Sequence, residues 1–224
     1  MKAARRFQQA TGIRQPVAIR LTKRIPVGAG LGGGSSDAAA VLKGMNQLFG
    51  QPLGSREMHD LALELGSDVP FFLKHNACIA TGRGDVLTPV QLPKLHVLLH
   101  LPGFPVSTAW AYRELDRLRR QRPRLVAGLT QQAFCLNIAL ARLKAGRLSS
   151  LADLLHNSFE EPVFRRHPGL RTIKARFLKA GADAALLSGS GSAVFALVRP
   201  SRLRQVQSAL ALKGVEFLSL ETVA

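Results

Sequence analysis

The chain has 224 residues, 46% hydrophobic and 20% charged, a composition that supports one or two buried cores and excludes a disordered protein. Its 31 Lys+Arg against 14 Asp+Glu leave a formal net charge of +17, which calls for an anionic partner or for a heavily solvated basic surface. No apolar run approaches the roughly 18 residues of a membrane helix, and the basic start at Lys2, Arg5 and Arg6 has no apolar segment behind it, so neither membrane nor secretion is expected and the location implied is cytoplasmic. Cys78 and Cys135 lie far apart, fit no metal or redox spacing, and read as reduced core thiols.

In chain order, a helix is expected over Met1–Ala10 and a short β-branched strand over Val17–Leu21, followed by a glycine-rich loop from Pro26. Val41, Leu42, Met45, Leu48 and Phe49 recur at helical spacing from Ser36, with Gly50 as the stop. A second helix, capped by Ser55 and carrying Met58, Leu61, Ala62 and Leu65 on one side, ends at Gly66. Asp68 then sits in a turn ahead of strands that alternate with turns through Thr81–Asp85, and Pro89 and Pro93 mark a boundary that divides the chain into domains 1–93 and 94–224. The second part reads as a strand over Leu95–Leu101, a helix from Ser107 or Thr108 through Arg119, helical segments over Gln131–Lys144, and a helix from Pro168 to Gly181. It closes with strand Ala184–Leu187, turn Ser188–Ser192, strand Ala193–Val198, helix Ser201–Lys213 and strand Val215–Leu220. That order predicts an α+β sandwich of the split βαβ, ferredoxin-like kind. Arg113, Arg117, Arg119, Arg120, Arg122 and Arg124 crowd one stretch, but no aromatics are interleaved to stack bases.

The chemistry concentrates in Pro26-Val27-Gly28-Ala29-Gly30-Leu31-Gly32-Gly33-Gly34-Ser35-Ser36, where five of seven residues from Gly28 to Gly34 are glycine, directly before a helix. Backbone without Cβ atoms can turn its N–H groups toward a ligand, and the helix start adds unpaired amides and the positive end of a dipole, a combination suited to a polyphosphate. A plain flexible connector is the alternative. The loop is not a Walker A motif, because no Gly-Lys-Ser/Thr closes it. Gly28, Gly30 and Gly33 have GxGxxG spacing, but Pro26 interrupts the approach and no acid lies between Ala38 and Arg56, so a dinucleotide fold is rejected.

The loop resembles the phosphate loop of the GHMP kinases, Pro-x-Gly-x-Gly-Leu-Gly-(Gly)-Ser-Ser leading into an Ala-rich helix. Three further segments match the family in order: Gly66-Ser67-Asp68-Val69-Pro70-Phe71-Phe72, Asn157-Ser158-Phe159-Glu160, and Leu187-Ser188-Gly189-Ser190-Gly191-Ser192. Together they are most similar to the subgroup that phosphorylates a cytidylyl methylerythritol, an isoprenoid precursor of the non-mevalonate route. The resemblance implies a two-domain α+β kinase fold with ATP and Mg2+ as cofactors and a small-molecule acceptor. Pro26 through Ser36, with Gly189, Ser190 and Gly191, would then bind the nucleotide, and Ser36 would ligate magnesium. Asp68 would be the general base or the residue that orients the acceptor hydroxyl, and Tyr112 would stack on cytosine. The family also carries a strand with a lysine and an asparagine well upstream of the loop. Only 25 residues precede Pro26 here, and neither Lys2 nor Lys23 matches that lysine's place, so the first domain is expected to be incomplete with an uncovered sheet edge. Trp110 and Tyr112 read equally well as ordinary residues of an amphipathic helix, His96 and His100 as structural, and Asn157 and Glu160 as packing residues. The rival functions are another GHMP kinase, acting on homoserine or mevalonate, and a non-catalytic basic protein that binds nucleic acid, which the motifs disfavour.

Overall fold

The computed structural model describes residues 1–74, 77–121 and 129–223. The chain divides into two units, one made of Met1–Ile25 and Gly32–Gln91, the other of Pro26–Leu31 and Leu92–Ala224.

The first unit holds α1 (Lys2–Thr11), α2 (Gly33–Leu48), α3 (Ser55–Leu65), α4 (Val69–Lys74), β1 (Cys78–Thr81) and β2 (Val86–Pro89). Its core is a helical stripe from each long helix: Ala3, Ala4 and Phe7 of α1, Ala39, Leu42 and Met45 of α2, and Met58, Leu61 and Ala62 of α3. These fall three and four residues apart, so each helix presents one apolar face. Gly50, at φ +76°, stops α2 where the sequence places the stop, and Gly12, at φ +72°, ends α1. β1 and β2 form an antiparallel hairpin, the only sheet of this unit among the described residues.

The structure departs from the sequence pattern at four places in this unit. No strand forms over Val17–Leu21: Ile19 and Leu21 are exposed, and a lone extended segment without a ladder partner has nothing to hold it. Helix α2 starts at Gly33 rather than Ser36, because Ser36 N already donates to Gly32 O and closes the first turn. Gly54, not Ser55, caps α3, its amide donating to Glu57 Oε2 at 2.7 Å. The residues after Asp68 form α4 instead of a strand.

The second unit contains β3 (His96–His100), α5 (Thr108–Gln121), α6 (Leu129–Lys144), α7 (Glu160–Arg166), α8 (Pro168–Lys179), β4 (Ala184–Leu187), β5 (Val194–Val198), α9 (Leu203–Ala211) and β6 (Leu218–Glu221). The four strands pair antiparallel in the order β4-β5-β3-β6, which is the split βαβ arrangement. Strand alternation sends Leu98, Val194, Ala196 and Val198 into one core with Phe177 and Leu170 of α8 and Val206 and Leu210 of α9. Val97 and Phe195 face the opposite side, with Leu151 and Ala184. The last strand lies at 218–221, later than its apolar pattern suggests, and a 3-10 turn at Pro200–Arg202 leads into α9. His100 Nδ1 donates to Glu216 O at 2.7 Å, a structural role.

Cys78 is half-buried in the hairpin rather than in the core, and the Cys135 side chain lies outside the described residues. Of the basic stretch, Arg122 and Arg124 also lie outside them. Arg117 pairs with Glu114, and Arg119 with Asp116 at 3.8 Å, one turn away along the exposed face of α5, so much of this charge is a solvated helix surface. No helix among the described residues is long and apolar enough to cross a membrane.

Leu98, fully buried at the centre of the sheet, should cost about 2–5 kcal/mol when cut to alanine, whereas Leu48→Ala on the exposed face of α2 should stay within about 0.5 kcal/mol. Urea denaturation of the two variants measures the contrast.

Candidate active site

The glycine loop is held by its carbonyl groups. Gly28 O accepts from Val106 N at 2.9 Å and from Ser192 N at 3.2 Å, Ala29 O accepts from Ala193 N at 3.0 Å, and Gly30 O accepts from Ser188 Oγ at 2.9 Å. A trans peptide is planar, so each C=O and the following N–H point in opposite directions. With these three carbonyls turned into the second unit, the amides of Ala29, Gly30 and Leu31 are turned away from it. The Ala29 side chain is buried against Leu99 and Ala193, while Val27 is exposed. Gly30, at φ +73°, lies so close to the 188–192 turn that a Cβ on it would stand 2.0 Å from Ser188 O. Only glycine fits there.

From Gly32 the chain enters the first unit and α2. The amides of Gly33, Gly34 and Ser35 are first-turn donors without acceptors inside the helix, at the positive end of a 16-residue dipole. The glycines differ in what requires them. A Cβ on Gly32 would meet the Phe72 ring at 2.7 Å, and one on Gly33 would meet Ile25 Cγ2 at 2.9 Å and Lys23 Nζ at 3.0 Å. One on Gly34 would meet nothing in the protein. Ser36 Oγ donates to Gly33 O at 3.0 Å, which commits its proton and leaves its lone pairs available.

Lys23, which the motif pattern passes over, reaches the head of α2 and pairs with Asp37 at 2.5 Å. The two are 14 residues apart, so no helical or strand period announces the pair; the only signal was a lysine just before the loop proline.

Asp68 is exposed in the turn between α3 and α4, where Gly66 N closes α3 on Ala62 O and Val69 N donates to Gly66 O. Its carboxylate has no hydrogen-bond or ion-pair partner among the described residues, and Phe72, four residues on, packs under Gly32. In the second unit Tyr112 is 55% exposed and rests edge-on against Phe159, ring centroids 4.8 Å apart at 83°. Ser190 is buried, with its hydroxyl 2.9 Å from Thr108 Oγ1, and Gly189 and Gly191 take positive φ in the turn that carries the loop. Beside Val27 and Gly28 a cleft of about 700 Å3 is flanked by Arg113, by Arg166 stacked on Trp110, and by His167. Burial, with help from Arg166, holds the His167 imidazole below its ordinary range.

The GHMP kinases N terminal domain profile matches residues 1–76, and the GHMP kinases C terminal profile matches residues 139–216. The 4-diphosphocytidyl-2-C-methyl-D-erythritol kinase of Chlorobium phaeobacteroides (strain BS1) is 42% identical over 206 residues, covering 90% of this chain and 68% of its own length. The chain belongs to the GHMP kinase family. The kinase of the same name from Nitratidesulfovibrio vulgaris (strain DP4) is 42% identical over 195 residues, covering 86% of this chain. This chain spans 65% of that relative's length. A crystal structure of 4-(cytidine 5'-diphospho)-2C-methyl-D-erythritol kinase superposes with a TM-score of 0.73 at 34% identity, covering 98% of this chain and 76% of the other. The family's two-domain α+β fold is therefore the fold of this GHMP kinase chain.

Gly30→Ala and Gly34→Ala separate seating of the loop from approach of a ligand. Gly30→Ala should lower stability by at least the roughly 1–2 kcal/mol of a left-handed alanine and abolish ATP binding, because the loop must leave the 188–192 turn. Gly34→Ala should leave stability intact and weaken ATP alone. Urea melts with calorimetric ATP titrations decide; intact ATP binding in both variants would remove the loop from the nucleotide site.

Proposed function

We propose that this chain transfers the γ-phosphoryl group of ATP to the 2-hydroxyl of 4-diphosphocytidyl-2-C-methyl-D-erythritol. The observation that carries the reading is the 42% identity, over most of the chain, to relatives named for that activity. Its physical support is a glycine loop whose carbonyls are committed and whose amides, among the described residues, are not, together with an exposed carboxylate on another segment of the same motif set.

Phosphoryl transfer asks little covalent chemistry of a protein, mainly positioning and neutralisation of charge on the phosphate oxygens. The amides of Ala29–Leu31 and of Gly33–Ser35 supply donors of fixed direction, which need no reorganisation as charge develops. Gly34 gives a phosphate room to approach the backbone. Ser36 suits a magnesium ligand because its oxygen retains lone pairs after donating to Gly33 O; the metal would neutralise phosphate charge there. Asp68, solvated and unpaired among the described residues, takes the proton of the acceptor hydroxyl or fixes its direction. Tyr112, backed by Phe159, offers a rigid ring face for the cytosine.

Asp68→Asn removes the charge while keeping the volume. The expected result is a kcat lowered about a hundredfold to a thousandfold with ATP affinity within about twofold, read by product formation from the cytidylyl substrate and by calorimetry. Normal turnover by Asp68→Asn would remove the carboxylate from the reaction. Turnover of homoserine or mevalonate in preference to the cytidylyl substrate would overturn the acceptor assignment.

A further inference from the structure

The Asn157-Ser158-Phe159-Glu160 segment touches neither the loop nor Asp68 in sequence, and packing alone does not explain its polar geometry. β4 lies at the edge of its sheet, so one side of its backbone has no ladder partner among the described residues. Side chains take that place at Leu187. Glu160 Oε1 accepts from Leu187 N at 3.0 Å, and Asn157 Nδ2 donates to Leu187 O at 2.9 Å. The same Nδ2 donates to Gly189 O at 2.8 Å, so one amide group bridges both ends of the bend into the 188–192 turn. Both anchors are themselves fixed: Asn157 Oδ1 accepts from Phe159 N at 2.9 Å, and Glu160 Oε2 pairs with Lys174 at 2.6 Å.

The next links run to the loop. Ser188 lies between the two clamped carbonyls, its amide donates to Ala193 O at 2.8 Å, and its hydroxyl donates to Gly30 O. Gly189 is so close that a Cβ on it would stand 2.9 Å from Gly30 O. A shift of a few tenths of an ångström in the turn is therefore a shift of the Gly30 carbonyl and, through peptide planarity, of the Leu31 amide. We infer that Asn157 is a positioning residue for the nucleotide phosphates, with Glu160 in support, acting through the 187–189 backbone on the Gly28–Gly30 carbonyls. This rests on the reading of the loop as the ATP site. The chemistry is specific to an amide: two donors match two carbonyls, whereas a carboxylate of the same shape would set acceptor against acceptor.

Asn157→Asp is the direct test, with Asn157→Ala in its place should the carboxylate prevent folding. Amide exchange at Ser192 and Ala193, which donate to Gly28 O and Ala29 O, should accelerate about tenfold or more, and ATP affinity should fall by about tenfold or more, while the KM for the cytidylyl acceptor stays within about twofold. Glu160→Gln keeps an acceptor for Leu187 N and should hold ATP affinity near that of the unaltered protein; Glu160→Met should not. The control is Asp183→Asn, which weakens a different polar clamp in the same unit, where buried Asp183 accepts from Arg199 N at 2.8 Å. It should lower the melting temperature without moving the ATP KM. Unaltered exchange in the Asn157 variant, or an ATP defect of equal size in Asp183→Asn, overturns the inference. If the unaltered chain binds no ATP, the functional reading fails, and the exchange measurement still decides whether Asn157 holds the loop.

Discussion

The loop's direction depends on one constraint, the capture of three successive carbonyls at Gly28, Ala29 and Gly30 by donors from the second unit. A planar peptide cannot satisfy its carbonyl on one side without showing the next amide to the other. The glycine at 30 follows from that closeness, since a side chain there would drive the backbone off Ser188 O. So does the use of a turn held by hydrogen bonds at the end of a sheet as the partner surface, because an unheld partner would give the carbonyls no fixed direction. The edge position of β4 completes the requirement: its unpaired side needs polar side chains, and Asn157 and Glu160 provide them.

Charge plays a subordinate part. The net +17 suggests a polyanion at first reading, yet along α5 Arg117 and Arg119 pair with acids one turn away, and pairs of that kind on a wet surface contribute little. Cationic groups with local significance among the described residues include Lys23 at the head of α2, Arg113 and Arg166 at the cleft beside Val27, and Lys174 beside Glu160. In the proposed site backbone amides would be the more discriminating anion donors, because their directions are fixed by the same bonds that hold the fold, whereas an arginine must be ordered each time it binds.

Much was legible in the sequence because local rules sufficed. Glycine density marks a loop, Gly50 marks the end of α2, and the apolar run Ala193–Val198 marks a strand. What failed depended on partners far away in sequence. Val17–Leu21 has strand composition but no ladder to join, and Val69–Lys74 is a helix although its Val-Pro-Phe-Phe start favours extended backbone. Gly33 and Gly34 read as loop and are helix, because glycine carries no preference strong enough to place a boundary. The Lys23–Asp37 pair and the bridge from Asn157 to Leu187 and Gly189 join positions 14, 30 and 32 residues apart. Such pairs leave no periodic trace.

If the loop shows its amides to phosphate because its carbonyls are already committed, nucleotide must act on those amides first. Titration of the 15N-labelled chain with a non-hydrolysable ATP analogue tests it amide by amide. The largest shifts should fall on Ala29, Gly30 and Leu31 and on Gly33, Gly34 and Ser35, while the amides of Val106, Ser192 and Ala193 keep their protection because their bonds to Gly28 and Ala29 persist. Shifts confined to the basic face of α5, or loss of protection at Ser192 and Ala193 as the nucleotide binds, would contradict it.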